Sequence, residues 1–226
     1  RGLGDVYKRQ GAAGLAAGEP AGGVGLMIAV VVLGAGRSRR MGARNKLLLA
    51  LPSGQTILRS VLEAAVAAQI GPVLLVTGHE AQAVAAQAAG LAVRCVEAAH
   101  YAQGLSASLR AGVAAVPADC AGALICLGDM PFVTPDLLRA LAAALVPPFD
   151  IVQPVFQGQP GNPVLWGRAH FAAMAELRGD EGARSLLIAN RERLKRLDVG
   201  TDAVLQDIDT PEALSLIHIS EPTRPY

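Results

Sequence analysis

An uninterrupted apolar run, MIAVVVL at residues 27–33, ends directly in the turn GAG. It lacks the polar alternation of a half-exposed strand, so as a strand it needs cover on both faces, as in a parallel sheet flanked by helices. Three more candidate strands follow, the apolar PVLLVTG and GALICLGDMP and, between them, LAVRCVEA. Segments with helical spacing separate them. In TILRSVLEAAVAAQI, residues Ile57, Leu58, Val61, Leu62, Ala65 and Val66 share one stripe, and Gly71-Pro72 stops the helix. HEAQAVAAQAAG is rich in helix formers and closes on Gly90. GLSASLRAGVAAV has a Ser-rich start and a helical continuation. TPDLLRALAAAL offers Thr134 as a cap and Pro135 at the first helical position.

Strand and helix thus alternate from 27 to 146, which predicts an α/β fold: three layers, α/β/α, around a mostly parallel, Rossmann-like sheet. Further on, DIVQPVFQGQPGNPVLWG reads as two strands joined by a Gly/Gln turn. A helix RAHFAAMAEL, a loop leading into a helix over GDEGARSLLIANRERL, and one or two short strands follow, before a helix start at Thr210-Pro211. Region 151–208 therefore adds mixed sheet at one side, and residues 27–214 form one domain. The ends, 1–25 and 215–226, share neither period nor composition with it and resemble translated adapter sequence, so they carry no site residues and His218 has no role.

The totals exclude several classes. The 226 residues carry a net charge of +1, which calls for neither nucleic acid nor an acidic membrane surface. No run is long enough for a membrane span, and no secretory signal is recognisable, so the reading is cytoplasmic. Cys95, Cys120 and Cys126 form no CxxC and read as buried, reduced thiols.

Charge is concentrated in GAGRSRRMGARNK, residues 34–46, which holds five of the twenty Lys and Arg. The loop follows a strand's carboxyl end, where open α/β sheets bind ligands. A dinucleotide fingerprint fails because Arg39 stands at the third glycine position. A P-loop fails because Gly42 is followed by Ala43 and Lys46 by Leu47. What remains is an anion site in which backbone N–H groups at Gly34 and Gly36 approach the ligand, with Arg37, Arg40 and Lys46 adding charge. Arg39 and Arg44 read as solvent-facing. Asp129 ends the apolar strand ALICLGD beside that loop, placed as a metal ligand or as a turn or capping residue. In DIDTP, strand alternation sets Asp207 and Asp209 on one face. They repel there unless a cation lies between them or Asp209 caps the following helix. Ser106 and Ser108 either cap the helix they precede or place its N-terminus against a base or phosphate. No nucleophile elbow is present.

The stretch LGAGRSRRMGARNKLLLAL resembles the signature of the MobA-like nucleotidyltransferases, close to L-A-A-G-x-S-x-R-M-G-x-x-K-L-L-L. VLLVTG, GLSASLRAG, LGDMPFV, GNPVLW, GDEGARSLL and DIDTPEAL follow in the family's order and cover 27–214. The resemblance is to the molybdenum cofactor cytidylyltransferase branch, with a nucleotide-diphospho-sugar transferase-like fold. It implies transfer of CMP from CTP to molybdenum cofactor (molybdopterin), with pyrophosphate released, Mg²⁺ required (Mn²⁺ as a substitute) and a molybdenum hydroxylase apoprotein of the xanthine or aldehyde dehydrogenase kind as client.

The resemblance also implies residue roles. Asp129 is the Mg²⁺-binding aspartate, Asp209 the second metal ligand and Asp207 next in line. Lys46 reaches the phosphates, with Arg37 and Arg40 on the leaving pyrophosphate. Leu33, Gly34, Ala35, Gly36, Thr77, Gly78 and Ser106 line the nucleotide. Asn162, where relatives often carry histidine, joins Gly179, Asp180, Gly182 and Arg184 on the acceptor side, where Asp180 could equally cap a helix. Ala98 stands near where relatives carry an asparagine. Ala35, KLLL and GDMP favour the cytidylyl branch. Guanylyl transfer, or another phosphorylated acceptor, is the alternative. A non-catalytic nucleotide-binding module predicts lost metal ligands, whereas Asp129, Asp209 and Lys46 are present.

Overall fold

The computed structural model describes residues 26–36, 45–180 and 182–208. Arg37, Arg40, Arg39, Arg44 and Asp209, the Thr210-Pro211 helix start and both terminal segments lie outside the described residues.

The first apolar run forms β1 (Ile28–Leu33), buried along its whole length. It lies between β2 (Val73–Thr77) and β4 (Gly122–Leu127), parallel to both, and β3 (Val93–Glu97) pairs parallel to β2 outside them. Alternation along β1 divides two cores. Ile28, Val30 and Val32 face one cluster, which takes in α1 (Ile57–Ala68), α2 (Ala81–Ala86) and α4 (Pro135–Ala143). Ala29, Val31 and Leu33 face the other, against α3 (Leu105–Ala114), α5 (Phe171–Ala175) and α6 (Arg184–Ala189). The three layers expected from the sequence are thus two helical layers on one sheet.

Local signals hold at several places. Thr56 caps α1 and Thr134 caps α4 by accepting from the N–H three residues on. The α1 stripe is buried as expected except Val66, which is half-buried while Ala68 completes the face. Cys120 and Cys126 are buried, and burial pushes the Cys126 thiol far above its ordinary range. Cys95 departs from expectation: it is exposed on β3, whose outer edge has no partner strand among the described residues to cover it.

The mixed side is more elaborate than two strands and a turn. β5 (Ile151–Phe156) turns at Gln157-Gly158, both at positive φ, into the two-residue β6 (Gln159–Pro160). β7 (Val164–Gly167) then runs antiparallel to both β4 and β5. β5 pairs as Val155↔Pro160 with β6 but as Val152↔Leu165 with β7, so the break at 161–163 inserts two residues. The expected helix over ARSLLIANRERL is shortened to α6. Residues from Leu194 form β8 (Leu194–Asp198), parallel to β5. The sheet order is β3-β2-β1-β4-β7-β5-β6, with β8 also on β5. The carboxyl ends of β1, β2, β4, β5 and β8 therefore share one edge.

At the opposite edge Asp150 precedes β5 and accepts from Arg193 Nε at 2.7 Å, while His170 Nε2 lies 2.8 Å from its other oxygen. Burial alone would raise the Asp150 carboxyl, but the bonds to Arg193 and His170 outweigh it and hold it below the usual carboxylate range. A depressed folded value stabilises the fold above the unfolded pKa, and that stability is lost as pH falls through the folded value. Asp150→Asn should lower stability at pH 7 by about 1 kcal/mol, roughly 2–4 °C in Tm. The gap to wild type should close on acidification below about pH 4, the unfolded carboxyl value, and melting curves across that range check it.

Candidate active site

The carboxyl edge gathers several of the described residues singled out from the sequence, Leu33, Lys46, Thr77 and Asp129 among them. Leu33 ends β1, and its carbonyl accepts from Gly128 N–H at 3.1 Å, so the β1 and β4 ends are fixed side by side. A Cβ on Gly128 would come within 2.9 Å of Leu33 O and 3.4 Å of Leu47. The missing side chain lets the turn bearing Lys46 close over the strand ends. Asn45 builds that turn: its Oδ1 accepts from Leu47 N–H at 3.2 Å, and Leu47 is buried in the core. Lys46 is thereby aimed at Asp129, with Nζ 2.5 Å from Oδ2 and both side chains about 85% buried, at 14% and 15% exposure.

Two polar atoms here are buried without a hydrogen bond, Asp129 Oδ1 and Asn45 Nδ2. An acceptor-only oxygen of this kind costs free energy unless something electropositive completes it. Behind it, Ile208 N–H donates to the Asp129 carbonyl at 3.0 Å, which ties residues 206–208 to the Asp129 backbone. The segment arrives along the edge: Val199 N–H bonds Val155 O, and Val204 O accepts from Asn162 N–H. Residues 206–208 are irregular, so Asp207 does not lie on the strand expected for it, and Asp209 lies outside the described residues. Among the described residues no three acidic, histidine or cysteine side chains cluster as a metal cage. Asp129, with one uncompleted buried oxygen, nevertheless suits Mg²⁺ or Mn²⁺, which bind through one or two carboxylates plus phosphate oxygens and water.

The nucleotide-side glycines divide. Gly34 N–H is committed to Val76 O at 2.8 Å, and a Cβ there would crowd Leu75, Val76 and Val84. Gly34 therefore serves the packing of strand on helix, contrary to the expectation that its amide meets an anion. A Cβ on Gly36 would meet nothing within 4 Å. Ala35 is buried, and its carbonyl accepts from His79 N–H. A Cβ on Gly78 would strike Tyr101 at 2.7 Å and Ala35 at 2.8 Å, so Tyr101 lies across Gly78 beside Ala35. Thr77 is buried at the end of β2 and its carbonyl accepts from Ala98 N–H.

Neither Ser106 nor Ser108 caps α3. Both are buried inside the helix, and the cap position is Gly104 at φ 114°. The cap comes from the loop at residues 179–180, expected on the acceptor side: Asp180 Oδ1 accepts from Leu105 N–H at 3.2 Å, and Gly179 O from Ser106 N–H at 3.1 Å. Asp180 is thus a capping residue for a helix 75 positions earlier. A Cβ on Gly104 would lie 2.5 Å from Asp180 Oδ1 and 2.6 Å from Gly179 O. Gly182 packs near Leu105, Asn162 sits in the break before β7, and Arg184 is exposed at the start of α6. Sequence reading missed Asn45, Tyr101 and Gly104. Asn45 had a signal, an Asn just ahead of a short helical turn.

The fold and edge define a nucleotide-handling α/β protein, and comparisons with known proteins agree. Residues 30–195 match the model of the MobA-like NTP transferase domain, and the chain belongs to this family of nucleotidyltransferases. It is 32% identical over 205 residues to the purine catabolism protein PucB of Bacillus subtilis, covering 83% of this chain and 94% of that one. Among solved structures it is similar to Rv0371c of Mycobacterium tuberculosis at 31% identity and TM-score 0.75, over 87% of this chain and all of that one. A manganese complex of that protein also matches, at 30% identity and TM-score 0.70 over 86% of this chain and 99% of that one. A nucleotidyl transferase from Methanothermobacter (Mth528) matches at 26% identity and TM-score 0.74, over 84% and 95%.

Gly104→Ala should destabilise by at least about 2 kcal/mol, since positive φ and a backbone clash coincide. Asp180→Ala, which only removes the cap, should cost about 1 kcal/mol. Denaturant titration of the two variants should reproduce that order.

Proposed function

We propose that this protein transfers CMP from CTP to the phosphate of molybdenum cofactor (molybdopterin), releasing pyrophosphate. The observation that carries the nucleotidyl-transfer chemistry is the Lys46–Asp129 pair at the carboxyl edge, with its uncompleted buried oxygen. An acceptor phosphate oxygen attacks the α-phosphorus in line, and the bond to the β-phosphate oxygen breaks. No covalent enzyme intermediate is needed.

Lys46 holds the phosphates and neutralises charge on the leaving pyrophosphate, assisted by Arg37 and Arg40. Asp129 and Asp209 would hold Mg²⁺, which supplies charge neutralisation and alignment of the phosphate oxygens. Leu33, Ala35, Gly36, Thr77, Gly78 and Tyr101 wall the base and ribose. Asn162 and Arg184 stand toward the acceptor, with Asp180 and Gly179 fixing that wall through α3.

Ala35 supports the cytidine assignment. It is buried beside Gly78 and Tyr101, so the base-side wall is built around a small side chain at this place. The molybdenum cofactor assignment is supported by the similarity to PucB, whose name places it in purine catabolism. A purine-oxidising molybdenum hydroxylase of the xanthine dehydrogenase kind fits as the client, and the protein acts in the cytoplasm.

Pyrophosphate release from purified protein given Mg²⁺, molybdenum cofactor and each nucleoside triphosphate tests the reading. CTP should be preferred by about tenfold or more, a discrimination that one or two base contacts supply. Background-level release with every nucleotide overturns the enzyme claim, and release with GTP alone overturns the cytidylyl assignment. Asp129→Ala should abolish turnover.

A further inference from the structure

We propose that Lys46 is the counter-ion that keeps a divalent cation off Asp129 until a triphosphate arrives, so that metal and nucleotide enter the site together. The inference rests on the reading of Asp129 as the metal-holding carboxylate.

The two residues expected to take opposite ends of a metal–nucleotide complex take each other. Lys46 Nζ lies 2.5 Å from Asp129 Oδ2, while Oδ1 is buried and accepts no hydrogen bond. One carboxylate oxygen is thus committed to a monovalent ammonium, and the other is suited to a cation. The Lys46 backbone cannot retreat, because Asn45 Oδ1 holds the turn and Leu47 is anchored in the core. The flexible four-carbon stem is what can move. A divalent cation on Asp129 would stand beside that ammonium in a site mostly withdrawn from water, where repulsion is poorly screened.

A triphosphate removes the conflict. Its oxygens offer Lys46 a charge-assisted bond of the same kind as the one given up, and its negative charge balances the incoming cation. The exchange breaks and forms only ionic contacts. Linkage makes it reciprocal: the factor by which nucleotide strengthens metal binding is the factor by which metal strengthens nucleotide binding.

The test is Mn²⁺ binding, by electron paramagnetic resonance or calorimetry, with no nucleotide or acceptor present. Lys46→Met and Lys46→Gln should bind Mn²⁺ at least about tenfold more tightly than wild type. Lys46→Arg, which keeps the charge, should stay near wild type. Adding CTP or GTP should strengthen Mn²⁺ binding by a larger factor in wild type than in the neutral variants. Asp129→Asn should remove Mn²⁺ binding in every background. Equal Mn²⁺ affinity in wild type and both neutral variants, with binding still lost in Asp129→Asn, overturns the counter-ion role and leaves the metal assignment standing. Mn²⁺ binding indifferent to Asp129→Asn overturns both.

Discussion

Strand β1 has no solvent face, and much of the architecture follows from that. Its even-numbered residues need one helical layer and its odd-numbered residues another. Parallel neighbours on both sides then require crossovers that return over those faces. Each crossover leaves from a strand's carboxyl end, so the loops after β1, β2 and β4 meet at one edge. The chemistry is concentrated there because the packing leaves that edge as the place where backbone and polar side chains converge.

The mixed side completes the edge from a different direction. After β8 the chain turns back across the ends of β5 and β7 and reaches β4, held by backbone bonds to Val155, Asn162 and Asp129 in turn. Ile208, the last of the described residues, reaches the Asp129 backbone by this route. The break before β7 belongs to the same arrangement: Gly161 and Asn162 leave the hairpin register, and the returning chain lies against them, so that a Cβ on Gly161 would meet Val204 O at 2.3 Å.

The layers and the parallel half of the sheet were legible in the sequence, because continuous apolar runs and caps are local signals, and the two residues singled out there, Lys46 and Asp129, meet at the carboxyl edge. What was not legible is non-local. Asp180 reads as an acceptor ligand or a cap for its own helix, yet it caps α3, since nothing in GDEGARS announces where its loop will dock. Gly34 reads as an anion-binding glycine, yet its amide is spent on Val76, because the backbone pairing with β2 reaches one residue past the end of β1. Cys95 reads as a buried, reduced thiol like the other two, but β3 lies at the end of the sheet and its residues are at most partly buried.

The cap on α3 also sets an order of assembly. Its Leu105 and Ser106 amides find their acceptors only in residues 179–180, so during synthesis α3 can pack on β1 and β2 long before its first turn is closed. The wall that Tyr101 forms over Gly78 lies immediately upstream of that turn. The first turn of α3 and the Tyr101 contact just upstream of it are therefore completed only once residues 179–180 have been made and docked, and a ribosome-bound chain carries a sheet edge well before that end of α3 is closed.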